Sequence, residues 1–297
     1  MKDKQRNGRG NEASGQGRSN PGRNGNGRSH GQGQGNRPAR GGNGGPPQIR
    51  GRSLWLYGIH PVLAALANPR RRAVRVLMTA DAEASIGARL EVLGQSNPSG
   101  LPTPEIVSRE IIDRSLPRGA VHQGVAAQVQ GLDDTDIEDI CRATEGLDNA
   151  RVIILDQVTD PHNVGAVVRS AAAFNAAAVI LPERNSPGDG GVLAKSASGA
   201  LERVALVRVV NLARALQRLK QAGFWCVGLD GEAQTAINEA DLSGRVALVL
   251  GGEGEGLRRL TREHCDLMVR IPINKGMDSL NVSNAAAISL YELARRS

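Results

Sequence analysis

Between residues 151 and 271 the chain carries six apolar runs of strand length: 152–155, 178–181, 204–210, 225–229, 246–250 and 268–271. Helical stretches separate most of them. A strand that is apolar at nearly every position has both faces buried, the habit of parallel sheets whose crossovers lay helices on both sides. This pattern predicts an α/β domain built on a parallel sheet, with its ligand site at the carboxyl edge of that sheet. Three loops at that edge stand out, each following one of the strands.

The first loop, 156–165, reads DQVTDPHNVG and enters a helix with Val164, Val167, Val168 and Ala171 on its apolar face. Asp160 before Pro161 is a good helix opening, an N-cap acceptor followed by a first-turn proline, so Asp160 needs no catalytic role. Asn163 and Arg169 are explained neither by capping nor by the apolar face. They lie about 9 Å apart along a helix, a span that reaches from a ribose to its phosphate. The second loop, 250–257, is LGGEGEGL. Its glycines let backbone approach a ligand closely, and the following amides can donate to it. Neither G-x-G-x-x-G nor a P-loop fits these residues, and two glutamates would repel a pyrophosphate, so a cationic ligand suits the loop better than a nucleoside triphosphate. The third, 271–284, is IPINKGMDSLNVSN, a polar loop between the last strand and a helix with an apolar face.

A length of 297 residues suits two domains. The formal charge is +7, yet residues 1–50 hold ten Lys and Arg against Asp3 and Glu12, so the tail is about +8 and the remainder about −1. Residues 1–52 are Gly, Asn, Arg, Gln and Pro with almost no apolar side chains; such a segment cannot offset its ordering entropy by burial and is expected to be a disordered tether for polyanions such as RNA. Residues 54–130 alternate helix and strand and predict a small α/β domain, with helices near 62–66, 86–93 and 111–116 and strands at 74–78, 106–107 and 125–129. Residues 131–149 are acidic and read as a linker with a helical turn at 137–141, and the second domain takes 150–297. The run Arg70, Arg71, Arg72 reads as a solvated turn, and His60 and His122 as structural. Cys141, Cys226 and Cys265 form no Cys-x-x-Cys pair, so no metal site is expected and a reducing cytoplasm is the default. No apolar run approaches a membrane span.

In order and spacing the three loops resemble the three motifs of the SpoU/TrmH family of RNA ribose 2′-O-methyltransferases, over about residues 54–297. VTDPHNVGAVVRSA, GEGEGLRRLTREHCD and SLNVS are most similar to the members that methylate a guanosine of 23S ribosomal RNA. Residues 54–130, including His122, Gln123 and Gly124, are similar to that group's N-terminal RNA-binding domain, which is folded like a ribosomal L30e protein. The resemblance implies a C-terminal α/β (SPOUT-type) methyltransferase domain tied in a trefoil knot, a homodimer, and S-adenosylmethionine held around Gly251, Ile271 and Leu280. It matches Asn163, Arg169, Glu253, Ser279 and Asn281 to the family's active-site positions. The chain departs from the family pattern at Ile273, Lys275 and Gly276, where IPM-x-G is usual, and at Asn175, where the first motif usually ends in Phe-Gly.

The resemblance implies a reaction that needs no metal, since the transferred methyl is already activated on a sulfonium. The enzyme's task is then to align a 2′-hydroxyl with that methyl and take its proton. Guanidinium is effectively always protonated, so Arg169 is better suited to hold phosphate and stabilise the developing alkoxide, with Glu253 or a phosphate oxygen as acceptor. Asn163, Ser279 and Asn281 would orient ribose and loop. A nucleotide-binding oxidoreductase is disfavoured by the missing glycine fingerprint, and two other readings stand beside this one. The first is a tRNA 2′-O-methyltransferase of the same family. The second is a non-enzymatic RNA-binding or ribosome-assembly protein, which would not need Asn163, Glu253 and Asn281 together.

Overall fold

The computed structural model describes residues 53–296 apart from 97–99, 189, 253, 255, 275 and 278. The expectation of a disordered tail over 1–52, like those for Glu253 and Lys275, lies outside the described residues.

The first layer is a four-stranded sheet in the order β1 (Ser53–Tyr57), β4 (Val125–Gln130), β2 (Ala73–Met78), β3 (Glu105–Ile106), antiparallel except for β2 with β3. Helices α1 (Ile59–Ala67), α2 (Ala80–Ser96) and α3 (Arg109–Ser115) connect its strands. The strand β1 has no local signature; it forms because Leu54 and Leu56 find Val129 and Ala127 across an antiparallel pair. The helix α2 runs well beyond its apolar stretch, with Asp81 and Glu83 in the first turn, where the helix dipole favours negative charge.

Residues 131–149 contain α4 (Ile137–Ala143), opened by a capping box in which Asp136 and Asp139 serve each other's backbone amides. Its Ile140 and Cys141 are buried.

The second layer is a seven-stranded sheet in which every pair is parallel. Its order is β7 (Ala205–Val209), β6 (Ala178–Pro182), β5 (Ala150–Asp156), β10 (Arg245–Gly251), β8 (Trp225–Leu229), β11 (Leu267–Arg270), β9 (Thr235–Ala236). All six runs expected to be strands are strands, while β9 is too short to leave a pattern. The side chains of β5 alternate with the period of two that a pleat imposes. Ile153 and Leu155 join the core formed with α5 (Pro161–Ala173), α6 (Gly191–Ala197) and α9 (Val282–Arg295). Val152 and Ile154 join the opposite core, formed with α4 and α7 (Leu212–Gln221). Both faces are covered, which is why those runs are apolar throughout. The short helix α8 (Arg259–Glu263) follows β10.

The two layers meet through one continuous apolar core that takes Leu56, Val62 and Leu66 from the first layer and Leu193 and Ala197 from the second. Arg71 corrects the expectation of a solvated turn. Its guanidinium pairs with Glu202 at 2.7 Å, both side chains are about 6% exposed, and it also donates to the Gln130 carbonyl at 3.0 Å. Glu202 lies too far along the chain for a local pattern to reveal it. Desolvation offsets most of the attraction in a buried pair of this kind, but removing either partner alone would leave an uncompensated buried charge.

Candidate active site

Two of the three loops are anchored where they open helices. Asp160 caps α5, accepting from the amides of His162 at 3.0 Å and Asn163 at 3.4 Å, as its position before Pro161 requires. The apolar face of α5 is buried at Val164, Val167, Val168 and Ala171. That leaves Asn163 half-buried at the sheet edge and Arg169 exposed further along the helix.

Asn281 caps α9. Its Oδ1 accepts from the Ser283 amide at 2.9 Å and from the Ser283 hydroxyl at 2.6 Å. Capping settles which way the amide points, because only the oxygen can accept. The Asn281 Nδ2 then donates to Asn163 Oδ1 at 3.0 Å. Residues 118 positions apart in sequence are thus joined side chain to side chain, and the first and third loops meet.

The second loop folds tightly on itself and against the first. A Cβ on Gly251 would stand 2.2 Å from the Gly256 carbonyl carbon, and one on Gly252 would stand 2.5 Å from the Gln157 carbonyl oxygen. Backbone cannot yield to such contacts, so no other residue fits at either position. Gln157 itself has φ 61°, a left-handed conformation uncommon for a side-chain-bearing residue. The far end of the loop is pinned by Asp156, the fully buried last residue of β5, which accepts from Arg258 Nε at 2.7 Å and from the Arg258 amide at 3.1 Å.

Between these loops lies a cavity of about 680 Å³ at the carboxyl ends of β8, β10 and β11. Gly251, Ile271, Ser279 and Leu280, all singled out in the sequence, line it together. Asn163 and Asn281 stand at its margin through their bond to each other and through Leu280 and Val282, the lining residues that flank Asn281. Arg169 is not among the lining residues. At 100° per residue it projects about 120° around α5 from Asn163.

Sequence reasoning missed the pin formed by Asp156 and Arg258, and also the wall after β8, where Asp230 and Glu232 line the cavity. A signal for each was present: a carboxylate closing the apolar run VIILD, and an Asp-Gly turn directly after a strand. Asp230 is paired with Arg262, whereas Glu232 forms no ion pair among the described residues. The volume, the mixture of apolar walls with loop backbone, and the Glu232 carboxylate suit a drug-sized ligand with cationic character. S-adenosylmethionine, the donor implied by the resemblance, has that chemistry: a flat adenine ring for the apolar walls, and a sulfonium and an ammonium against a single carboxylate. Among the described residues no group of three His, Cys, Asp or Glu side chains could hold a metal ion, and no helix is long and apolar enough to cross a membrane.

Two family models match the chain. Residues 150–291 match the SpoU rRNA Methylase family, and residues 55–135 match the model described as RNA 2′-O ribose methyltransferase substrate binding. The chain is 40% identical over 248 residues to the 23S rRNA (guanosine-2′-O-)-methyltransferase RlmB of Xylella fastidiosa, covering 82% of this chain and 97% of that protein. It is 41% identical over 244 residues to the RlmB of Escherichia coli, covering 82% and 99%. Among solved structures, the SpoU methyltransferase AviRb from Streptomyces viridochromogenes, in complex with AdoMet, shares the fold with a TM-score of 0.68 at 24% identity, over 82% of this chain and 90% of that one.

Proposed function

Since the chain belongs to the SpoU rRNA methylase family, we propose that it transfers a methyl group from S-adenosylmethionine to a ribose 2′-hydroxyl of RNA, and that its substrate is a guanosine of 23S ribosomal RNA. The observation that carries this reading is the bond between Asn281 and Asn163 at the lip of the glycine-walled cavity, which joins polar groups of the first and third loops beside a pocket that the second and third loops line together.

When bound, S-adenosylmethionine supplies a methyl activated on a sulfonium. Gly251, Ile271 and Leu280 hold the donor largely by backbone, and Glu232 favours its positive charge, Asp230 being already paired with Arg262. Asn163, Ser279 and Asn281 orient the ribose. Their rigidity derives from capping: Asn281 is held by α9, and Asn163 by Asn281, so little reorganisation is needed when the hydroxyl is aligned. Arg169 clamps a phosphate and stabilises the developing alkoxide. Glu253 or a phosphate oxygen takes the proton.

The finer architecture belongs to the same proposal. Residues 54–130 form an L30e-like RNA-binding domain, 131–149 connect it to the methyltransferase domain at 150–297, and the tail tethers RNA. The C-terminal passage is knotted, a reading supported by residues 279–282 returning to the cavity already lined by the loops after β8 and β10. The chain acts as a homodimer: Tyr291 and Ile288 of α9 are 57% and 42% exposed, and Tyr291 stands edge-on to Phe174 at 6.3 Å, an apolar surface suited to a second copy. A monomeric mass by light scattering removes the dimer. A reducing cytoplasm suits the three free cysteines, and cell fractionation tests that placement.

The decisive experiment is ribose-methylation mapping of total RNA from cells with and without the gene, with the purified protein added back to the unmodified RNA. Loss and restoration of one 2′-O-methylguanosine in 23S RNA is expected. Loss at a tRNA position instead would overturn the substrate, and no change in ribose methylation would overturn the activity.

A further inference from the structure

Lys195 is one of two lysines among the described residues. The other, Lys220, is paired with Asp266 at 2.7 Å. Lys195 has no carboxylate partner among the described residues; its ammonium donates at 2.7 Å to Oε1 of Gln123, a neutral amide from the first layer. The side chain is half-buried, and burial, with no compensating charge, pushes its pKa below the usual lysine range. A cation that is partly desolvated and bonded to a dipole alone is better satisfied by an anion.

The surroundings are built to hold it there. Gln123 has φ 56° and Gly124 φ 76°, so the turn is left-handed at a residue with a full side chain, a conformation that costs of the order of 1 kcal/mol. The Gln123 Oε1 also accepts from the Ile59 amide at 3.3 Å, which fixes the amide group between two donors. Gly58, at φ 90°, lets the lysine lie against backbone: a Cβ there would stand 2.4 Å from Lys195 Nζ.

This cluster connects to the candidate active site. Ser196, next to Lys195 on α6, shares a hydrogen bond of 3.0 Å with Nδ1 of His162. His162 adjoins Asn163, which is bonded to Asn281. Gly165 presses α5 onto α6 so closely that a Cβ would stand 2.4 Å from Ser196 Cβ, leaving no slack between the helices. A polar track therefore runs from Gln123 in the first layer, through Lys195, Ser196 and His162, to the asparagine pair.

We propose that Lys195, presented by Gln123 in the seam between the two layers, takes a backbone phosphate of the RNA strand that flanks the target ribose. The proposal rests on the methyltransferase reading and adds a contact that sets where the strand lies. Gln123 holds the ammonium when RNA is absent and yields it to the phosphate, because a neutral acceptor competes weakly with a charged one.

The test uses the full chain, an unmodified 23S RNA transcript, and two variants. Lys195→Gln removes the charge, and Gln123→Glu gives the lysine a permanent carboxylate. Both should melt close to the parent. Both should raise the KM for RNA by about tenfold with little change in kcat, and lower the slope of log affinity against log salt by about 0.7 to 0.9, the loss of one phosphate contact. Gln123→Glu is the sharper variant. If the lysine is only a strut between layers, an ion pair preserves it, so parental KM and salt slope in Gln123→Glu would overturn the proposal, as they would in Lys195→Gln. Should the parent bind the transcript but methylate nothing, the methyltransferase reading fails. The salt slopes of parent and variants would then still report the lysine's contact.

Discussion

Arg258→Met should destabilise the protein more than Asp156→Asn, although the two side chains are partners in one ion pair. Asp156 is wholly buried, whereas the Arg258 side chain is 48% exposed. Removing the guanidinium leaves a buried carboxylate with the Arg258 amide, at 3.1 Å, as its donor. Breaking a fully buried pair costs about 3–5 kcal/mol. Water can replace part of a half-exposed arginine, so a discounted cost of about 2–3 kcal/mol is expected. Asp156→Asn keeps an oxygen for the Arg258 amide and lets the guanidinium turn to solvent, at about 1 kcal/mol. For a folded unit of this size each kcal/mol lowers Tm by about 2–4 °C, giving falls of about 4–12 °C and 2–4 °C respectively. Because the pair pins the glycine loop, both variants should also weaken S-adenosylmethionine binding. Urea denaturation and calorimetric titration read the two effects. Equal losses of stability, or an Arg258→Met protein within about 0.5 kcal/mol of the parent, would refute the asymmetry drawn from burial.

Asn281→Asp keeps an N-cap acceptor for α9 but loses the donor to Asn163, so melting should hold while RNA methylation falls by at least about tenfold; parental activity would show the asparagine pair to be dispensable. Arg169→Lys should lose most activity and weaken RNA binding while keeping donor affinity, since Lys supplies a point charge in place of a fork. High residual activity whose pH profile follows a lysine would show that residue 169 acts as a base. Deleting residues 1–50 should flatten the salt dependence of RNA binding and leave the melting temperature of the rest unchanged; an unaltered slope would exclude the tether. Burial pushes the thiols of Cys226 and Cys265 up to about 12, so both should resist alkylation at pH 8 until the protein is unfolded, and rapid labelling of the native protein would contradict that burial.

The strands were legible because a sheet buried on both faces writes itself as continuous apolar runs, and Ile153 and Ile154 are both buried, on opposite sides. Asp160 was legible because capping is local. Asn163 and Arg169 stood out by elimination, as residues that neither cap nor core explained, and of the two only Asn163 meets the third loop. Asn281 proved to be a cap as well as a partner of Asn163, a double use that spacing does not reveal. What stayed hidden depends on partners distant in the chain. Asp156 meets Arg258 102 positions later, and Arg71 meets Glu202 131 positions later. From sequence each reads as an ordinary charged residue in a loop or at a strand end. The strand β1 was hidden for the same reason, since its pairing with β4 is set by tertiary contact.

The place of β10 in the sheet bears on how the chain is made. It lies between β5 and β8, and its Arg245 is paired with Ala150. During synthesis β5, β6 and β7 emerge first, and β5 then presents an apolar open edge until residues 245–251 leave the ribosome. At about 5–20 residues per second that interval lasts roughly 5–20 s. For that time Val152, Ile153 and Ile154 offer the unpaired backbone that invites strand addition by other chains. A nascent chain stalled before residue 245 thus carries an unpaired apolar edge, and releasing such truncated chains should yield more aggregate by sedimentation than releasing the full chain.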